Sequence, residues 1–333
     1  YKTSLFMRPV FNQARKDIKR IVLTEGEDER VLHAAQQVVS QKLAFPILVG
    51  DAKLIEERLH SQGLTIQPGK DFELVDIKNS PYYEASWKEY YNLRKRKGVT
   101  EEMARRRLKA NSTLVGALLV RLGHADGLVC GTMGRFHDHF AVMEEVIGYN
   151  NPEKEAFAMN ALISNKGNFF IADTYINENP TAEQLANGTL MCAAEMKRIG
   201  LKPKVALVSN SNYGSHCSPD ARKMQRALEI IRELDPTLEI DGEMQADVAL
   251  DETMRKSIFP ETTLSGAANL LVMPNVEAAN ISYNLLRVNA TNGITVGPIL
   301  MGLNKPVQIV TPISTVRRIV NMIALAVVDA QRQ

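Results

Sequence analysis

Cysteine is scarce: Cys130, Cys192 and Cys217 are the only three in 333 residues. They are odd in number and follow no spacing pattern, which argues against a disulfide framework and points to a reducing, cytoplasmic setting. An excess of one charge is missing as well. Lys+Arg 40 against Asp+Glu 38 leaves a net charge of +2, which argues against a general nucleic-acid or membrane surface. No apolar run approaches the roughly 20 residues that a membrane span needs, and no secretory signal is legible. Neither G-x-x-x-x-G-K-[ST] nor G-x-G-x-x-G occurs, so a phosphate loop and a Rossmann fingerprint are both excluded. Any nucleotide must be held by strand-end loops instead. Internal repeats and low-complexity linkers are absent too. The chain opens at Tyr1 without an initiator methionine, which leads us to expect a piece of a longer polypeptide.

Hydrophobic residues make up 45% of the chain, ample for two domains of ordinary size. Apolar runs at Ile21–Thr24, Pro46–Val49 and Phe72–Val75 alternate with helical patterns, which predicts βαβ units and a mostly parallel sheet. Residues 81–122 break this rhythm and read as consecutive helices. Tyr83, Trp87 and Tyr91 recur at i, i+4, i+8, one helical face. With the basic clusters Arg94–Lys97 and Arg105–Arg107 they could serve nucleotide or nucleic-acid contact. The balanced overall charge favours a packed aromatic stripe beneath a solvated basic face. Asn111 or Ser112 can cap the helix that ends at Gly123.

Asp126–Cys130 is the next strand, running into Gly131-Thr132-Met133-Gly134-Arg135. His137 and His139 follow. Read as strand residues they would lie on one side only, and no cysteine or acidic cluster completes a metal site. Ala156–Ser164 and Asn168–Ala172 flank Asn165-Lys166-Gly167, a hairpin signal, so a second domain is expected to start near residue 150. Thr181-x-x-Gln184 is a capping box opening a helix through Ile199. Lys204–Val208 is a strand followed by a loop of small donors, 209–215. Ser218 and Pro219 begin the next helix as cap and first residue. Leu238–Asp241, Asn269–Met273 and Ile294–Val296 are further strands, with a helix over Asn275–Val288. The final helix, about 314–330, is apolar on most faces, which suits burial in the first domain or a subunit contact.

Gly297 to Val320 combines a Gly-Pro turn, a buried-strand run Val307–Val310, a break at Pro312 and the start of the last helix. In α/β proteins ligands bind where strands end and helices begin. Thr311 to Thr315 offers hydroxyls and helix-start N–H groups there, suited to phosphate or acyl oxygens.

Several stretches together resemble the phosphate acetyltransferase (phosphotransacetylase) family. Ala172-Asp173-Thr174 with Asn177, Pro180 and Thr181–Leu185 is similar to its Ala-Asp-…-Asn-x-x-Pro-…-Gln-Leu stretch. Asp241-Gly242-Glu243-Met244-Gln245-Ala246-Asp247 is similar to its Asp-Gly-Glu-Leu-Gln-x-Asp signature. Pro274 to Tyr283 and Gly297 to Pro306 match two more of its motifs. The resemblance implies a two-domain three-layer α/β/α fold with mostly parallel sheets, akin to isocitrate dehydrogenase. It implies a first domain of residues 1–150 plus 303–333 and a second of 151–302. It also implies dimers, with a coenzyme A site in the cleft between domains.

The departures cluster at that site. The family writes Ser-Arg-Gly-Cys-Ser-Val-Glu-Asp where this chain has Thr311-Pro312-Ile313-Ser314-Thr315-Val316-Arg317-Arg318. Its Ser-Phe-Ser-Thr-Lys-Gly-Ser loop is here Ser209-Asn210-Ser211-Asn212-Tyr213-Gly214-Ser215. This combination resembles the C-terminal phosphotransacetylase-like domain of bacterial NADP-dependent malic enzyme hybrids. The resemblance implies an acetyl-CoA-binding regulatory domain with no catalytic residue of its own. Asn210, Ser211, Tyr213, Tyr283, Gly297, Pro298, Thr311 and Ser314 are then the expected lining of the acetyl-CoA site. NADP and a divalent metal (Mg or Mn) would belong to a malic enzyme part outside this chain. Partners would be that part and further copies of the chain, as a homodimer or higher oligomer, with no nucleic acid and no membrane. Two alternatives remain beside it: an active phosphate acetyltransferase with a rearranged site, and an oligomer scaffold without a ligand.

Overall fold

The computed structural model describes residues 2–165, 167–290 and 294–333, with side chains from residue 6 onward. The chain separates into two compact units, Ser4–Asn150 with Leu303–Gln333 and Asn151–Gly302.

Helix α1 (Lys2–Lys16) leads into the first unit. Strand β1 (Arg20–Leu23), helix α2 (Glu29–Ser40), strand β2 (Phe45–Val49), helix α3 (Ala52–Ser61) and strand β3 (Glu73–Val75) follow in strict alternation. The expected helical stretch is α4 (Tyr83–Arg94), a 3-10 turn (Lys95–Lys97), α5 (Glu101–Ala110) and α6 (Ser112–Arg121). Strand β4 (Gly127–Cys130) and helix α7 (Phe136–Val146) complete the first pass through this unit. Asp28, Asp51, Thr100 and Asn111 each accept a backbone N–H at a helix start, the role their short oxygen-bearing side chains favour. Trp87 is buried, and Arg105 lies 4.1 Å above its ring while Lys109 lies 5.3 Å above Tyr83. The basic residues of α5 thus cover the aromatic stripe of α4.

The second unit opens with β5 (Phe157–Ser164) and β6 (Gly167–Ala172), paired antiparallel with Ser164 opposite Gly167. Lys166 of the expected hairpin turn lies outside the described residues. Then come α8 (Ala182–Arg198), β7 (Lys204–Val208), α9 (Pro219–Leu234), β8 (Glu239–Met244), α10 (Ala246–Leu250), α11 (Glu252–Ile258), β9 (Leu270–Val272), α12 (Val276–Asn289) and β10 (Ile294–Met301). Both capping signals are realised: Thr181 and Gln184 bond reciprocally, and Ser218 caps α9 with Pro219 in its first turn. The sheet order is β10-β5-β6-β9-β7-β8, antiparallel at the β10 and β5 pairings and parallel from β6 to β8. Gly297-Pro298 is not a turn. It forms an irregularity inside β10 between Val296 and Ile299, and an edge strand tolerates the missing N–H of proline.

Strand β11 (Val307–Ile309) and helix α13 (Val316–Ala330) belong to the first unit. Its sheet is wholly parallel, ordered β11-β4-β1-β2-β3. Helix α13 is buried almost continuously from Ile319 to Val328 and packs on α2 and β4. Its apolar faces are spent inside the unit, so the helix does not offer a subunit contact.

Candidate functional site

In the first unit β1 is flanked by β2 on one side and β4 on the other, so the chain reverses direction across the sheet between β1 and β4. The carboxyl ends of strands at such a reversal are where open α/β sheets hold ligands. Three loops meet there: Thr24–Asp28 after β1, Gly131–Arg135 after β4, and Thr311–Thr315 after β11.

Charged residues of the β1 loop and the start of α2 organise the other two. Glu25 Oε1 accepts N–H bonds from Gly131 (2.5 Å) and Thr132 (2.7 Å) and the Thr132 hydroxyl (3.1 Å). Its Oε2 is bonded by the Thr24 hydroxyl. Gly131 sits at φ +110°, and a Cβ there would lie 2.2 Å from the Val310 carbonyl oxygen, so only glycine fits. Arg30 reaches across to both loops. Its Nη1 donates to the carbonyls of Pro312 (2.6 Å) and Ser314 (2.9 Å), and its Nη2 to that of Thr132 (2.9 Å). Asp28 receives the remaining guanidinium N–H groups at 3.2 and 2.8 Å. Burial works most strongly against ionising Asp28, yet its bonds to Arg30 outweigh that and hold the carboxyl below the usual aspartate range.

Both histidines lie on helix α7 rather than on a strand. His139 Nε2 is 2.6 Å from the Met133 carbonyl, and its Nδ1 is 2.9 Å from the Thr113 hydroxyl. A carbonyl only accepts, so Nε2 carries the hydrogen. His139 is a loop tether, and His137 is exposed. Among the described residues no group of His, Cys, Asp and Glu is placed to hold a metal ion.

Thr311 to Thr315 is a closed turn. Ser314 is buried; its hydroxyl accepts from the Thr311 N–H (3.1 Å), and its own N–H donates to the Thr311 carbonyl (2.9 Å). The Thr315 side chain caps α13 by accepting from Arg318 N–H. The hydroxyl of Ser314 and the amides of Thr311 and Ser314, expected to face a ligand, are therefore engaged within the turn. The Thr311 side chain is half-exposed, while Met133 and Ile313 at the loop tips are 61% and 65% exposed. The first turn of α13 carries no acid and two arginines, Arg317 and Arg318.

In the second unit the parallel strands β6, β9, β7 and β8 end together. After β7, Asn210 is exposed, and its carbonyl accepts from Gln245 Nε2 (3.1 Å). Ser211 is fully buried, with its hydroxyl accepting from His216 N–H (3.0 Å). Tyr213 holds φ +51° and turns inward. Its ring stacks on Phe259 at 4.4 Å, and its hydroxyl lies 3.2 Å from Asp241 and 3.4 Å from Thr262. Burial is the main cause that pushes its phenol up to about 12. Glu243 is buried at the end of β8 and accepts from Gly214 N–H (3.2 Å) and Gln225 Nε2 (3.1 Å). After β6, the buried Asp173 carboxylate accepts the amides of Tyr175, Ile176 and Asn177 at 3.0, 3.0 and 2.8 Å.

Of the eight expected lining residues, Asn210, Tyr213 and Thr311 reach the surface at strand-end loops. Ser211 and Ser314 lie beneath those loops as supports. Tyr283 is buried in the core cluster around Met244, Leu271 and Met273, and Gly297 and Pro298 are buried in β10. Sequence reasoning missed Glu25, Asp28 and Arg30. The available signal was an acid, a capping aspartate and an arginine within seven residues of a strand end.

The family model described as Phosphate acetyl/butaryl transferase matches residues 5–327, and the chain belongs to that family. It is similar to NADP-dependent malic enzyme of Escherichia coli (strain K12), with 54% identity over the whole of this chain and 44% of that protein. It is also similar to phosphate acetyltransferase of Corynebacterium glutamicum, 33% identical over 98% of each chain. Among solved structures, a phosphotransacetylase from Streptococcus pyogenes matches with a TM-score of 0.91, 27% identity and 100% coverage of both chains. The chain spans less than half the length of the malic enzymes it matches.

Proposed function

We propose that this chain is an acetyl-CoA-binding regulatory domain that has lost phosphotransacetylase turnover and is joined to a malic enzyme part. The observation that carries the reading is the β11–α13 junction. Where the family resemblance calls for an arginine and an acid, this chain has Pro312 and Arg318, and the first turn of α13 holds no carboxylate. Acetyl transfer between phosphate and the coenzyme A thiol needs a base near the thiol and donors on the developing oxyanion. Losing a positioned base typically costs about 10²–10⁴ in rate, and losing one oxyanion donor about 10²–10³. Arginine cannot accept a proton, so Arg318 does not replace the base. Polar surface nevertheless survives in the strand-end loops, at Thr311 in the first unit and at Asn210 in the second, as binding without turnover requires.

The whole protein would oxidise and decarboxylate malate to pyruvate with NADP and a divalent metal, as the malic enzyme names of the relatives suggest. Among the described residues no acidic or histidine group fits a metal ion, so no step of that chemistry is assigned to this chain. Acetyl-CoA would act as a feedback inhibitor, since pyruvate feeds its formation. Self-association is part of the reading. Ile281, Leu285 and Val288 are 57%, 60% and 77% exposed at helical spacing on α12, an apolar stripe suited to a second copy. An active phosphate acetyltransferase is the second reading, favoured by the match along nearly the full length of the Corynebacterium enzyme.

The test compares malate oxidation by the full-length protein and by a truncation lacking this domain, with and without acetyl-CoA. Inhibition only in the full-length protein, within the roughly 5–150-fold range of typical allosteric coupling, supports the reading. Equal responses in both would place the effector site outside this chain.

A further inference from the structure

We propose that Arg30 is a positioning residue: it locks the Thr311–Thr315 turn against the Gly131–Arg135 loop and so shapes the acyl-thioester edge of the first unit. The inference rests on the acetyl-CoA reading above for the ligand, and on geometry alone for the lock. A guanidinium has five N–H donors in a fixed planar fork. In Arg30 all five are used: Nε and one Nη2 hydrogen on Asp28, the other Nη2 hydrogen on the Thr132 carbonyl, and both Nη1 hydrogens on the carbonyls of Pro312 and Ser314. No donor remains for a ligand, so Arg30 acts through the loops it holds.

Each anchored carbonyl lies next to a surface side chain. Thr132 precedes Met133, and Pro312 stands between Thr311 and Ile313. The lock therefore sets the placement of one half-exposed hydroxyl, Thr311, and two exposed apolar side chains, a combination that suits a short acyl group on a thioester. Asp28 makes the lock a fixed part of the fold. It caps α2 by accepting Arg30 N–H at 2.8 Å and grips the guanidinium of the same residue. Lysine cannot replace it, because three donors radiating from a single nitrogen cannot serve carbonyls on two loops and a carboxylate together.

The experiment uses Arg30→Ala and Arg30→Lys in the 333-residue chain, with hydrogen exchange, acetyl-CoA calorimetry and added guanidinium ion. The expected result for Arg30→Ala is at least tenfold faster exchange of amides in 131–135 and 311–315, with the amides of β1, β2 and β4 unchanged. Acetyl-CoA affinity should fall tenfold or more, and millimolar guanidinium should restore both properties. Arg30→Lys should show the same loosening, and guanidinium should not rescue it because the lysine side chain fills the vacated space. Unchanged loop exchange in both variants overturns the lock. Loosened loops with unchanged affinity overturn its role in binding. If the unsubstituted chain binds no acetyl-CoA, the functional reading fails, while the exchange comparison still decides the lock.

Discussion

Tyr213 stands where the family loop carries lysine, and its two halves can be separated by mutation. Removing a fully buried aromatic side chain costs about 3–5 kcal/mol. Tyr213 is half-exposed, so its share is about 2 kcal/mol, and the stacked pair with Phe259 adds about 1 kcal/mol. Tyr213→Ala is therefore expected to destabilise the second unit by about 3 kcal/mol in urea unfolding. The hydroxyl contributes far less. Its bonds at 3.2 and 3.4 Å are long, and Asp241 keeps the Thr262 hydroxyl at 2.7 Å without it. Tyr213→Phe should cost about 0.5 kcal/mol. The ligand consequence follows from the same division. If the ring keeps the 209–215 loop in its binding form, the alanine variant lowers the populated fraction of that form, and apparent acetyl-CoA affinity falls with it. Calorimetry should show the phenylalanine variant within about twofold of the unsubstituted chain and the alanine variant weakened about tenfold or more. Tenfold weakening by Tyr213→Phe would show that the hydroxyl touches ligand and would refute this account. Unchanged affinity in Tyr213→Ala would show that the loop plays no part.

Three further outcomes are expected. Acetyl phosphate and coenzyme A should yield no thioester with this chain at rates approaching the usual enzyme median of about 10 s⁻¹; turnover at that level restores the transferase reading. Burial pushes the Cys130 and Cys192 thiols far up while Cys217 is exposed, so a thiol reagent should titrate one cysteine in the native chain and three after denaturation. Fast reaction of a second thiol would contradict the packing. Paired substitutions Leu285→Glu and Val288→Glu on α12 should reduce the sedimenting mass, and an unchanged oligomer would place self-association elsewhere.

The parallel sheets were legible because their strands are buried on both faces and read as short apolar runs, as in Ile21–Leu23 and Val205–Val208. Helix starts were legible because capping is local: Asn111, Thr181 and Ser218 each bond an amide within three residues. What stayed hidden depends on partners distant in sequence. The segment Asp241-Gly242-Glu243 looks too polar to extend a strand, yet β8 runs through it because Thr262 and Gln225 satisfy its carboxylates. Gly297-Pro298 has turn chemistry but sits in an edge strand, a property of the sheet order. His137 and His139 were read on a strand, although the chain enters a helix at Phe136 after an arginine with no side-chain cap. The Arg30 lock joins residues 102, 282 and 284 positions apart, which no local pattern announces.

Calorimetric titration of acetyl-CoA into this chain separates a ligand-binding domain from an active transferase and from an empty scaffold. A regulatory domain that kept the binding loops and lost turnover predicts saturable heat of binding with no release of acetyl phosphate when inorganic phosphate is added. Absence of binding at millimolar acetyl-CoA would contradict it, as would steady conversion of the ligand during the titration.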